Sequence, residues 1–274
     1  MRWPLVVSAF HALGVLLHSP SYSLFAAVRT FTLDIGNTAA KYGCFEDDRL
    51  VEMGSTATTQ QVTELVRRLQ PHHAMVSSVA ASTSEWVEVL QPEVKGTVLS
   101  FSPATTPLPL QNAYATPHTL GADRLAAAVG AAWKRPGQDT LIVDAGTAIK
   151  CDLVEGGHTF RGGSIAPGLQ LRFRALHTFT GRLPLVELPT DLAASIPLTG
   201  NDTQTAIRSG VLNGAAAEVN GLIDSYREQF PTLGVVLAGG DAAFFQPRLK
   251  GLIFAIPELV LLGLHRILAY NVEL

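Results

Sequence analysis

Apolar positions along this chain switch between two spacings, and the switches mark where its elements begin and end. Thr30 to Gly43 opens with an apolar run that reads as a buried strand and leads into a turn. Gln60 to Leu69 places Val62, Leu65, Val66 and Leu69 at the i, i+3, i+4, i+7 spacing of a helix laid on a sheet, and Pro71 ends it. Ala74 to Val79 predicts the next strand, Ser84 to Leu90 a helix and Gly96 to Ser100 another strand, so the first half reads β-β-β-α-β-α-β. Ser102 to Pro117, rich in Pro and Thr, predicts an irregular connection able to line a pocket.

The second half begins with an alanine-rich helix former, Gly121 to Trp133, and a polar break at Lys134 to Asp139. Thr140 to Val143 predicts a buried strand. Ile149 to Val154 follows as its hairpin partner, and a third strand ends at Gly162-Gly163. Leu169 to His177 reads as a helix, followed by a proline-bearing loop to Leu198. A long helix then opens near Thr203, capped by Thr or Asp, and runs toward Tyr226. Gly234 to Leu237 is a strand, Ala238 to Asp241 its terminal turn, and Leu259 to Tyr270 an amphipathic helix. A Gly-Gly turn after such a strand is a place where an adenine ring can lie flat against backbone.

One device occurs twice. Asp34-Ile-Gly36-Asn37-Thr38-Ala-Ala-Lys41 follows an apolar strand, and with one residue deleted it lies over Asp144-Ala-Gly146-Thr147-Ala-Ile-Lys150. An internal repeat of this kind points to two similar half-molecules. The glycine allows a tight turn, and Asp with Thr presents oxygens at a strand end, where a cation and phosphate oxygens can be held. Two such hairpins facing one nucleotide resemble the acetate and sugar kinase, heat-shock ATPase and actin superfamily. The expected fold is therefore α/β: two similar actin-like (ribonuclease H-like) domains, with mixed sheets flanked by helices and a nucleotide cleft between them.

Composition narrows the function. The 274 residues suffice for one large or two ordinary domains, and a net charge of −3 with no basic stripe gives no sign of a nucleic-acid partner. Cys44 and Cys151 each fall inside a predicted core strand and read as buried free thiols, and no Cys/His spacing resembles a zinc site. Within residues 1–29, Trp3 to Leu17 is an apolar run shorter than the roughly 20 residues of a membrane span. Residues 1–29 read as an extension outside the fold or a start codon placed too early, with a signal peptide as the alternative. Residues 30–138 are then the first domain and 139–274 the second.

The sets DIGNTAAK (Asp34–Lys41), GADR (Gly121–Arg124) and DAGTA (Asp144–Ala148) resemble, in order and spacing, the three signature motifs of type III pantothenate kinases. Gly162–Pro184, Thr203–Gly214 and Leu237–Phe245 resemble the same family, and the likeness runs from Phe31 to the C-terminus. It implies ATP-dependent phosphorylation of pantothenate, the first step toward coenzyme A, in a cytoplasmic homodimer with no membrane partner. By that resemblance Asp34, Ile35, Gly36, Asn37, Thr38, Ala39, Ala40, Lys41 and Thr147 bind ATP, with Asp34 organising Mg²⁺. Asp144 binds a monovalent cation, potassium or ammonium. Asp123 is the proton acceptor. Tyr114, Gly121, Ala122, Asp123, Arg124 and Thr203 contact pantothenate, Thr203 from the partner chain. On the residues alone, Asp123 at a helix start reads first as a complement to the helix dipole. Taken alone, Lys41 reads as a solvated strand-end lysine and Tyr114 as a loop aromatic; their conjunction with the three motifs gives them the family roles. The competing functions are another small-molecule kinase of the superfamily and a non-catalytic transcriptional accessory factor.

Overall fold

The structure, a computed structural model, describes residues 27–36, 39–78 and 83–273. The leader up to residue 26, and Asn37 and Thr38 of the first loop, lie outside the described residues. Five strands form the first sheet: β1 (Arg29–Ile35), β2 (Ala40–Glu46), β3 (Arg49–Thr56), β4 (His73–Ser78) and β5 (Val98–Ser100). Helices α1 (Thr59–Leu69) and α2 (Ser84–Leu90) are threaded between them. The order is β3-β2-β1-β4-β5, with β1, β2 and β3 antiparallel and β4 and β5 added in parallel beyond β1.

The second sheet repeats this plan. β7 (Thr140–Ala145), β8 (Ala148–Glu155) and β9 (Thr159–Pro167) form the meander, and β10 (Gly234–Ala238) and β11 (Ile253–Ala255) add in parallel beyond β7. β6 (Gln111–Asn112) closes the far edge, giving β11-β10-β7-β8-β9-β6. Helices α4 (Leu169–Thr178), α5 (Thr203–Gln229) and the short α6 (Ala242–Phe245) belong to this half of the chain. The architecture is α/β with two mixed sheets and flanking helices, as the repeat implied.

Local chemistry explains the boundaries. The Thr58 hydroxyl accepts from Gln61 N–H to start α1, whose Val62, Val66 and Leu69 are buried. Asp202 rather than Thr203 caps α5, in a reciprocal arrangement with Thr205. β1 begins at Arg29, which bonds Glu46 and the Leu69 carbonyl, so the first strand starts one residue before Thr30. The third strand of the second meander does not end at Gly162-Gly163. The ladder shifts register at that point, and β9 continues to Pro167. The ladder skips Arg161, and Gly162 beside it has φ +86, so a bulge lies inside the strand; a Cβ on Gly163 would lie 1.8 Å from the Cys151 carbonyl, so the strands approach closely there. β6 within the irregular connection, and β11, are too short for periodicity to reveal. Cys44 and Cys151 are buried free thiols, and burial pushes them up to about 11 and about 12.

Helices α3 (Ala122–Lys134) and α7 (Leu259–Val272) hold the halves together. α7 packs on β1, β2 and β4, while α3 packs on β4, β7 and β8. Met75 of the first sheet and Ile142, Val154 and Val236 of the second share one core with Leu125, Leu264 and Leu268 of the two helices. The helices touch backbone to backbone: a Cβ on Gly263 would lie 1.7 Å from the Ala126 carbonyl, and one on Gly130 would lie 2.5 Å from the Leu259 carbonyl. Among the described residues, no helix is long and apolar enough to cross a membrane.

Gly263→Ala should therefore cost about 1–3 kcal/mol or more in urea unfolding, because the added methyl has no rotamer that escapes a backbone atom. Gly221→Ala, also helical but with open space around it, should be neutral or gain up to about 1 kcal/mol. Equal effects at the two sites would contradict the close crossing.

Candidate active site

The two hairpins β1–β2 and β7–β8 place their polar ends alike. Asp34 faces Lys41 across the first ladder, and Asp144 faces Lys150 across the second. Opposed residues of an antiparallel pair project to the same side of the sheet, so each hairpin presents a carboxylate and an ammonium together. The extra residue of the first repeat lies wholly in the loop, since Ile35 pairs with Ala40 where Ala145 pairs with Ile149. Gly146 N–H donates to the Ala148 carbonyl at 3.0 Å, closing the second turn. The turn after β10 lies against this loop: Asp241 N–H donates to Ala145 at 2.9 Å, and Gly239 has φ +93. A Cβ on Gly239 would lie 2.2 Å from the Ala145 carbonyl and 2.6 Å from Asp144 Oδ1, so only glycine fits there.

Three carboxylates converge at the strand ends: Asp34 from β1, Asp123 from the first turn of α3, and Asp144 from β7. Lys150 Nζ bridges two of them, 2.7 Å from Asp123 Oδ2 and 2.6 Å from Asp144 Oδ2. Burial opposes the charge on Lys150, but Asp144 and Asp123 more than offset it and hold the ammonium above the usual lysine range. Asp123 Oδ1 also accepts from Arg124 N–H at 2.9 Å.

Asp34 is situated differently. Its Oδ1 is buried and has no hydrogen-bond partner among the described residues. Burial, then the charges of Asp123 and Asp144, push its carboxyl up to about 6, against the opposing pull of Lys41 and Lys150. Lys41 is exposed and forms no ion pair among the described residues.

Beside this cluster is a second wall. Arg124 is 5% exposed and grips the buried Asp152 of β8 with two hydrogen bonds, of 3.0 and 2.5 Å. Its guanidinium lies 5.4 Å from the centre of the Tyr114 ring, which packs against the Gly162 bulge. Burial opposes the Arg124 charge, and Asp152 more than offsets it. A planar, two-point pair of this kind fixes the orientation of both groups.

Comparison with known proteins decides what this arrangement belongs to. The sequence pattern of type III pantothenate kinases matches residues 30–225. The chain belongs to the type III pantothenate kinase family. Among relatives of that name, the chain is 41% identical to one from Cytophaga hutchinsonii over 241 residues, covering 88% of this chain and 98% of the relative. It is 42% identical to one from Bacteroides fragilis, covering 87% and 97%. Among solved structures, a conserved Baf family protein from Campylobacter jejuni superposes with a TM-score of 0.59 at 21% identity, covering 89% of this chain and 100% of that one. A ROK hexokinase from Thermus thermophilus superposes with a TM-score of 0.52 at 16% identity, covering 90% and 99%. These two likenesses concern the fold.

The family's expected site residues are brought together in large part. Asp34, Ile35, Gly36, Ala39, Ala40 and Lys41 sit on the first hairpin, and Thr147 is exposed in the second turn. Gly121, Ala122, Asp123 and Arg124 open α3, next to Tyr114. Thr203 is exposed at the start of α5 and shares no hydrogen bond or ion pair with that group among the described residues. Two residues absent from the sequence expectation complete the site: Lys150 and Asp152. The repeat carried the signal for Lys150, because it aligned that residue with Lys41. Asp152 lies two residues further along β8, hence on the same face of the sheet.

An ionised Asp34 penalises the ligand-free fold. The unfolded carboxyl titrates near its ordinary value of 3.8 and the folded one at about 6. Its contribution is therefore neutral below about pH 4, and stability is lost as pH rises through about 6, by up to roughly 3 kcal/mol. In nucleotide-free, metal-free protein, Asp34→Asn should gain on the wild type by that order between about pH 4 and pH 7. A stability gap that does not vary with pH would contradict the burial of this charge.

Proposed function

We propose that this chain transfers the γ-phosphoryl group of ATP to the primary hydroxyl of pantothenate, giving 4′-phosphopantothenate for coenzyme A synthesis. The observation that carries the reading is Asp123. It stands at the start of α3 between the strand-end carboxylates of both hairpins, in a chain whose family is defined by this reaction. The alcohol oxygen bonds to the γ-phosphorus, the bond from that phosphorus to the β–γ bridging oxygen breaks, and the hydroxyl proton passes to Asp123. If the transition state is loose, the proton moves late and orientation of the hydroxyl counts most.

The first hairpin serves the nucleotide. The exposed Lys41 ammonium, which forms no ion pair among the described residues, adds positive charge for the phosphates. Mg²⁺ fits the unpartnered Asp34 Oδ1. Among the described residues no cluster of three or more His, Cys, Asp or Glu could hold a metal ion alone, in keeping with an ion that shares one carboxylate with ATP phosphates. When bound, Mg²⁺ offsets charge on those phosphates. Tyr114 and Arg124 form the wall for pantothenate, and Thr147 meets ATP from the second loop. Asp144 needs a positive neighbour. The family resemblance gives that place to potassium or ammonium, and the Lys150 ammonium is in contact with it.

Thr203 serves the site of a second chain, so the working unit is a homodimer in the cytoplasm, where ATP is available. Exposed apolar residues support this: Ile165, Leu171, Phe179, Leu185 and Leu198 all fall in the stretch leading to α5, with Phe179 and Leu198 each 85% exposed. Inactive Asp123→Asn chains mixed with inactive Thr203→Arg chains should recover turnover in hybrid dimers, which contain one intact site. No recovery in hybrids shown to form would contradict sharing.

Asp123→Asn keeps the shape but cannot take the proton. It should lower turnover by about 10²–10⁴-fold, followed as ADP release dependent on pantothenate. The melting temperature should shift by only a few degrees. A folded variant with near-normal turnover would remove Asp123 from the chemistry.

A further inference from the structure

Building on the kinase site above, we propose that Lys150 is a tethered cation, so that neither nucleotide binding nor turnover needs added potassium or ammonium. Its Nζ touches Asp144 and Asp123 at 2.6 and 2.7 Å, and its side chain is 15% exposed. The hairpin register fixes this placement, because Asp144 is the residue opposite Lys150 in the β7–β8 ladder.

A free monovalent cation does not fit at Asp144. Oδ2 is in contact with the ammonium, and Oδ1 is packed against Gly239, where a Cβ would lie 2.6 Å away. A cation bound there would have to displace an ammonium held by two carboxylates in a half-buried site. Like charges at close range make that exchange unfavourable, while the bridging lysine already screens Asp144 from an incoming phosphate. The equivalent lysine of the first hairpin, Lys41, is exposed and forms no ion pair among the described residues, so the two repeats use the same residue differently. Lys41 remains available to a ligand, whereas Lys150 is committed to the protein. Through its contact with Asp123 Oδ2, Lys150 also acts as a positioning residue for the proton acceptor.

The test starts with wild-type protein in choline chloride, into which potassium is titrated at constant ionic strength. Two readouts are followed: the rise in melting temperature caused by Mg·ADP, and phosphopantothenate formation. Each should change by less than about twofold, since general screening is held fixed. Lys150→Met should lose about 10²–10³-fold in turnover in choline, with most of the nucleotide-induced stabilisation, and recover about tenfold or more on adding potassium or ammonium. A wild-type response to potassium of about tenfold in either readout, or a Met variant whose cation response equals that of wild type, overturns the assignment. If the Met variant does not fold, the wild-type titration decides alone. If no phosphopantothenate forms in any buffer, the kinase reading fails, and the Mg·ADP stabilisation still answers for the cation.

Discussion

Where Gly263 of α7 meets Ala126 of α3, the two helix backbones are in contact with no side chain between them. The rest of the site depends on that closeness. α7 lies on the first sheet and α3 on the second, so the depth of the crossing sets how far apart the sheets stand. Asp34 belongs to one sheet, Asp144 to the other, and Asp123 to the helix between them. A wider crossing would expose Asp34 and separate it from Asp123 and Asp144, whose charges add to burial in raising its titration. His265, two residues along α7 from the crossing, ties that helix to the first sheet: its Nδ1 lies 2.9 Å from the Thr30 hydroxyl, and its ring stacks on Phe45 at 4.3 Å.

Within this frame the site separates charges that stay with the protein from charges left for ligands. Arg124 with Asp152, and Lys150 with Asp123 and Asp144, are satisfied pairs in half-buried or buried settings. Pairs of that kind contribute little net stability, but removing one partner leaves a costly unpaired charge, so they act mainly to fix geometry. Asp34 Oδ1 and the Lys41 ammonium are the contrasting groups, one without a hydrogen-bond partner and one without an ion pair among the described residues. On the proposed reading, nucleotide with its metal would supply what each lacks. The burial and like charge that raise Asp34 would then be relieved on binding.

Much of this was legible in the sequence because it rests on local rules. The repeated Asp-x-Gly hairpins predicted two equivalent meanders, and the ladders pair Asp34 with Lys41 and Asp144 with Lys150, as the one-residue deletion required. The helical spacing of Val62, Leu65, Val66 and Leu69 marked α1. What was not legible depended on distant contacts or very short elements. β6 has two residues and exists because its backbone meets the edge of β9, and β11 has three. The Gly162-Gly163 pair looks like a strand end, but a neighbouring strand carries the ladder past it. Lys150 was visible in the repeat, yet its use differs from that of Lys41. Only the packing of α3 against β8 brings Asp123 within its reach.

The central claim is that one acceptor hydroxyl is delivered to Asp123 between two phosphate-holding hairpins. Its most direct test is a crystal structure with Mg²⁺, a non-hydrolysable ATP analogue and pantothenate bound together. The account predicts the pantothenate hydroxyl at a hydrogen-bond distance of about 2.6–3.2 Å from an Asp123 oxygen, in line with the γ-phosphorus, and the divalent ion beside Asp34 Oδ1. Pantothenate seated away from α3, with its hydroxyl out of reach of Asp123, would contradict it.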